Sequence, residues 1–216
     1  MEQFITILII IHASFGGIAL LSGTLSVIAE KGNKLHRKSG LAFFYSMMFC
    51  GFSAFVIALL PGHESPFLIG VGIFSLYFVF TGYRALRLKR KSVNVTLDKA
   101  VAIFMFLSGI AMIGYHPLFL AKINLVLTPF GMIGILFSIQ DLRLFRNSDK
   151  FKSFWLRQHL TRMLAGYIAA ITAFVVVNQL LPGVVGWLLP GVVGAVIITF
   201  WNRKVKQKSK PVQAQK

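Results

Sequence analysis

Apolar residues fall into seven stretches along this chain, each bounded by short polar or basic segments. They run approximately from Phe4 to Ala29, Gly40 to Leu60, Pro66 to Leu86, Leu97 to His116, Ile123 to Ile139, Met163 to Leu181 and Val184 to Trp201. A hydrocarbon layer about 30 Å thick takes roughly 20 residues of helix to cross, so each stretch reads as a membrane span. The pattern predicts an all-α fold: one bundle of seven transmembrane helices over residues 1–203, then a basic tail over 204–216. Pro182-Gly183-Val184-Val185-Gly186 recurs as Pro190-Gly191-Val192-Val193-Gly194, which leaves the start of the last helix open by several residues. Both copies read as small-residue material for helix packing, and Pro190 would kink the helix if it lies inside it.

Composition agrees with the pattern. With 56% hydrophobic residues, 13% charged residues and a mean hydropathy of +0.74, the 216-residue chain has too much apolar surface to hide in one soluble core. The bilayer is its expected solvent. Cys50, the only cysteine, lies inside the second stretch, which rules out an internal disulfide and a thiolate metal cluster. Met1-Glu2-Gln3 lacks the basic start of a signal peptide, so the first stretch is expected to be a retained span.

A net charge of +17 would suggest nucleic acid in a soluble protein, but its distribution says otherwise. Lys31, Lys34, Arg37 and Lys38 follow the first stretch. Arg84, Arg87, Lys89, Arg90, Lys91 and Lys99 surround the end of the third. Arg143, Arg146, Lys150, Lys152, Arg157 and Arg162 lie between the fifth and sixth, and Arg203, Lys204, Lys206, Lys208, Lys210 and Lys216 follow the last. Of 23 basic residues, 22 thus share one side of a seven-span topology, and Lys122 alone lies on the other. Basic loops stay cytoplasmic, so the amino terminus is expected outside and the carboxyl terminus inside. That accounts for the charge without nucleic acid, and points to anionic inner-leaflet head groups as partners of the tail, which carries Pro211 and is expected to be disordered.

Ion-coupled transport usually needs a carboxylate at membrane depth. Glu2, Glu30, Glu64, Asp98, Asp141 and Asp149 all fall at span ends or in loops, where solvation or helix-end pairing explains them. No Gly-x-Ser-x-Gly, His-Glu-x-x-His or Gly-rich phosphate loop is present.

The histidines carry the candidate chemistry. His12 lies about nine residues into the first stretch, roughly 13 Å deep at about 1.5 Å per residue, and Gly16, Ala19, Gly23 and Ser26 continue its helical face. His36 opens the second stretch beside Arg37, with Gly40 one turn on. His159 lies in the first turn of the sixth, beside Arg162, with Gly166 further along its face. His116 closes the fourth. By depth, His36 and His159 form a cytoplasmic pair and His12 and His116 an outer one. Paired neutral imidazoles on facing helices are the usual axial ligands of haem b, and nearby glycine makes room for the macrocycle. The plainer alternatives are interfacial histidines at helix starts for His36 and His159, a membrane-boundary residue between Tyr115 and Pro117 for His116, and for His12 a packed ring hydrogen-bonded to a serine or a backbone carbonyl.

A first-span His followed by Gly, Leu35-His36-Arg37-Lys38-Ser39-Gly40, Arg157-Gln158-His159 with Arg162-Met163, and Tyr167-Ile168-Ala169-Ala170 before Thr172-Ala173-Phe174 together resemble an uncharacterised family of bacterial multi-span inner-membrane proteins, a domain of unknown function. The resemblance runs from about His12 to Asn178 and implies a polytopic protein of the bacterial inner membrane, with no activity attached. His12, His36, Arg37, Gly40, His159 and Arg162 match its pattern; His63 and His116 do not. A looser likeness is to two-haem transmembrane b-type cytochromes, on histidines and helix count. The expected function is therefore a histidine-ligated haem-binding or redox membrane protein. The alternatives are a permease or channel for a small neutral or lipid-like solute, and a non-catalytic assembly or sensory subunit.

Overall fold

The computed structural model describes residues 2–90, 93–147 and 150–208; Lys91, Asp149, Lys210, Pro211 and Lys216 lie outside the described residues. All regular structure among the described residues is helical: α1 Glu2–Ile28, α2 Lys34–Ala58, α3 Pro66–Arg84, a 3-10 turn Ala85–Lys89, α4 Thr96–Leu120, α5 Leu127–Leu144, α6 Phe151–Val177 and α7 Gly183–Lys208. Local chemistry marks the starts. The Asn33 side chain accepts from the backbone N–H of His36 to cap α2, and Ser65 accepts from Leu68 to cap α3, whose first residue is Pro66.

Six of these helices are long and apolar enough to cross a membrane. The exception is α5, which has 18 residues and ends in Gln140, Asp141 and Arg143 among its apolar positions. The outer surface suits lipid: Ile10, Leu21, Phe104, Leu107, Val196 and Phe200 are each about half exposed or more. This is the architecture of a multi-pass membrane protein.

The elements differ from the sequence expectation chiefly in α4, α5, α6 and α7. Helix α6 starts at Phe151, twelve residues before Met163, because Phe151 and Trp155 pack on Leu88 and Phe145 below the apolar window. His159 is therefore two turns inside a helix and not in its first turn. Helix α4 continues through Pro117 to Leu120, stopping where Ala121 turns left-handed at φ 49°. Helix α5 lies several residues later than expected. Helix α7 starts at Gly183, contains Pro190, and runs to Lys208, so the expected disordered tail is helical over Lys204–Lys208.

Helix α3 is the hub, packing on α2, α4, α5 and α6; α1 packs on α2 and α6, α4 on α5, and α7 on α6. Phe74, Tyr77, Phe78, Met105, Met112, Leu127 and Phe130 form the larger core, and Ala19, Phe43, Phe44, Met47 and Val79 the smaller. Association of helices in lipid rests on close backbone approach rather than on hydrophobic burial, so small residues gather at the crossings. A Cβ on Gly109 would lie 2.8 Å from the carbonyl oxygen of Gly131, and one on Gly194 would lie 2.2 Å from the end of Ile168. Gly109→Val should therefore lower the thermal midpoint in detergent, by overpacking worth roughly 1–3 kcal/mol. Gly17→Ala, which meets nothing within 4 Å, should leave it unchanged; equal midpoints for the two variants would contradict the close crossing.

Candidate functional site

His36 and His159 are held alike although their helices differ. At the start of α2, His36 Nδ1 lies 2.9 Å from the carbonyl oxygen of Ser26, on α1, and 3.2 Å from the Ser26 hydroxyl. In α6, His159 Nδ1 lies 2.8 Å from the carbonyl oxygen of Gly82, on α3. A carbonyl oxygen only accepts, so each ring carries its proton on Nδ1 and donates it. The lone pair of a neutral ring then sits on Nε2. Among the described residues neither Nε2 has a protein partner, and neither is sealed from the surface. Both side chains are half-buried. Lys89 stands over the Trp155 ring with its ammonium 4.0 Å from the centroid.

His12 and His116, expected as the outer pair, are not brought together. His12 faces α2, where its Nδ1 meets the Ser53 hydroxyl at 2.9 Å and its ring packs on Cys50 Sγ at 3.6 Å. His116, on α4, takes a hydrogen bond on Nε2 from Asn124 at 3.0 Å, while its Nδ1 is buried without a partner. Because α1 packs on α2 and α6 and α4 on α3 and α5, no interface joins them. The expected outer pair is therefore corrected to two separate, locally bonded side chains.

The expected role of the glycines is also corrected. A Cβ on Gly16 would touch Cys50 Sγ at 3.7 Å, one on Gly40 the Ser26 hydroxyl at 3.2 Å, and one on Gly166 the Val79 side chain at 2.5 Å. The small face of α1 below His12 is thus a seam filled by α2 and α6: Gly23 receives Phe43 and Tyr167, and Ala19 is fully buried. These glycines let helices meet; they do not clear a slot beside the histidines. Arg37 is exposed at the rim.

Arg162 occupies the most elaborate polar site among the described residues, with residues the sequence reading passed over. Asp141, expected at a solvated span end, is 2% exposed and accepts three hydrogen bonds. Arg162 Nη2 donates to Oδ1 at 2.5 Å, Gln158 Nε2 to Oδ1 at 2.9 Å, and the Tyr77 hydroxyl to Oδ2 at 2.5 Å. The Arg162 guanidinium also donates to the carbonyl oxygen of Phe137 at 3.2 Å and stands 4.0 Å from the Phe137 ring centroid. Its Nε and Nη1, and Gln158 Oε1, are buried without protein partners. The signal in the sequence was that apolar residues continue past Asp141 at Leu142, Leu144 and Phe145, so the helix, and its enclosure, extend beyond the expected end. Asp98, by contrast, pairs at a helix end as expected, held by Arg84 through two contacts of 2.6 Å.

No family model, curated protein or solved structure matches the chain.

Removing one member of a buried ion pair strands the other charge, at a cost of about 3–5 kcal/mol, whereas replacing both with apolar groups is often neutral. Asp141→Leu should accordingly unfold at a much lower temperature than wild type. Asp141→Leu/Arg162→Met should recover part of that loss, the remainder reflecting Tyr77 and Gln158 left without their acceptor. A double variant less stable than the single one would contradict the enclosed pair.

Proposed function

We propose that this is a bacterial inner-membrane protein that binds haem b through His36 and His159 at its cytoplasmic side and serves electron transfer. The observation that carries the reading is the shared state of the two rings: each spends Nδ1–H on a backbone carbonyl and keeps Nε2 free. Ligating histidines are commonly oriented in this way, the outer hydrogen bond fixing the tautomer and raising the basicity of the ligating nitrogen. A pair of donors also suits haem better than a bare ion. Among the described residues no three His, Cys, Asp or Glu side chains gather as a metal site needs, and a haem iron asks the protein for two ligands only. When bound, haem supplies one-electron chemistry. This chain's residues would hold the iron by His36 and His159, and the Lys89 and Arg37 cations would favour carboxylates at the rim. Since the Gly40 and Gly166 faces are closed by packing, the approach to both Nε2 atoms is from the cytoplasmic rim.

The topology belongs to the same proposal. At about 1.5 Å per residue the 18 residues of α5 reach about 27 Å, close to the hydrocarbon thickness, and its charged end is neutralised inside the bundle by Arg162. With α5 as the seventh span, the termini face opposite sides and the basic loops fall together in the cytoplasm. Reporter fusions at Glu64 should read outside, and fusions at Arg90 and Lys150 inside; a cytoplasmic signal at Glu64 would overturn the orientation.

Haem titration of the detergent-purified protein tests the ligands. His36→Ala or His159→Ala should weaken haem binding at least about tenfold, the scale on which metal sites respond to loss of support, while His12→Ala and His116→Ala should bind as wild type. Unchanged Soret titrations in both His36→Ala and His159→Ala would exclude the pair.

A further inference from the structure

His159 points at Gly82 only while α6 keeps one rotation and one register against α3. The two helices meet closely at that place: a Cβ on Gly82 would lie 2.9 Å from both Arg162 Cβ and the backbone nitrogen of Met163. The contact sets a glycine against a helix surface, with Val79 of α3 seated on Gly166 of α6 further along; apolar packing of this kind brings helices close but does not by itself give a hydrogen bond its direction. A polar constraint is needed for that.

Asp141 supplies it from a third helix. Its carboxylate holds α6 at two points, Gln158 and Arg162, which flank His159 one residue before and three residues after. It also holds Tyr77 of α3, the helix that carries the Gly82 carbonyl. The contacts close a ring: from His159 to Gly82, along α3 to Tyr77, through Asp141 to Arg162, and back along α6 to His159. We propose that Asp141, acting through Arg162, is a positioning residue that sets the tautomer and direction of the His159 ring. This deepens the reading of His159 as a ligand and rests on it for its purpose, but its geometry stands without any cofactor. The best-attested use of a buried polar pair is to specify register, and here the register has a chemical output on Nε2.

The test separates positioning from stability and needs no haem. In nitrogen-15 NMR of histidine-labelled protein, the His159 signal, assigned as the one lost in His159→Gln, should show the Nδ1–H tautomer. Arg162→Lys, which keeps the charge pair, should retain that signature. Asp141→Asn, which keeps the shape, and Asp141→Leu/Arg162→Met, which removes both charges, should each shift it toward the Nε2–H form that free imidazole side chains favour. A His159 signal still in the Nδ1–H form in either Asp141→Asn or Asp141→Leu/Arg162→Met would overturn the proposal and leave the ion pair as a stabilising contact alone. If the signal shifts as expected but no variant, wild type included, binds added haem, the cofactor reading falls and the positioning stands.

Discussion

A carboxylate enclosed by a helix bundle is tolerable only when its charge is matched and its lone pairs are taken. Asp141 meets that condition by drawing on two neighbouring helices at once, taking Tyr77 from α3 and both Gln158 and Arg162 from α6. The shorter and more polar α5 is thereby sealed into the bundle. The crossing of α3 and α6 is fixed in the same act, and this crossing presents His159. Arg84 and Asp98 make a similar tie from the end of α3 to the start of α4, so the hub helix is held by charge at its C-terminal end and by aromatic packing along its length.

Packing separates the histidines into two groups. His12 and His116 are answered locally by side chains, His12 by Ser53 and His116 by Asn124. Among the described residues, His36 and His159 are answered on one side of the ring, by backbone carbonyls, which cannot move away without unwinding a helix. A ring so held loses little freedom on taking a ligand, and preorganisation of that kind raises affinity without adding contacts. That asymmetry is the ground for placing ligand chemistry at His36 and His159.

The class of the protein was readable from hydropathy, because a helix in lipid must be apolar along its whole length and the chain shows this directly. Helix ends were less so. Residues 151–162 are polar enough to end an apolar window, yet Phe151 and Trp155 find partners and the helix continues; no local signal reports those distant contacts. The pairing by depth was sound as geometry along each helix but silent on neighbours. It therefore grouped His12 with His116, whose helices do not adjoin. Glycine next to histidine was read as space, whereas in this bundle Val79, Ser26 and Cys50 fill it. Asp141 was read as a span-end carboxylate explained by solvation or helix-end pairing, whereas it is enclosed with Arg162, a partner from another helix.

Low-temperature electron paramagnetic resonance of the oxidised, haem-loaded protein tests the central claim most directly, since the signal reports the axial ligands of the iron. The account predicts the low-spin signal of iron held by two imidazoles, lost in His36→Ala and in His159→Ala. A high-spin signal in the wild type, or a low-spin signal that survives both substitutions, would contradict it.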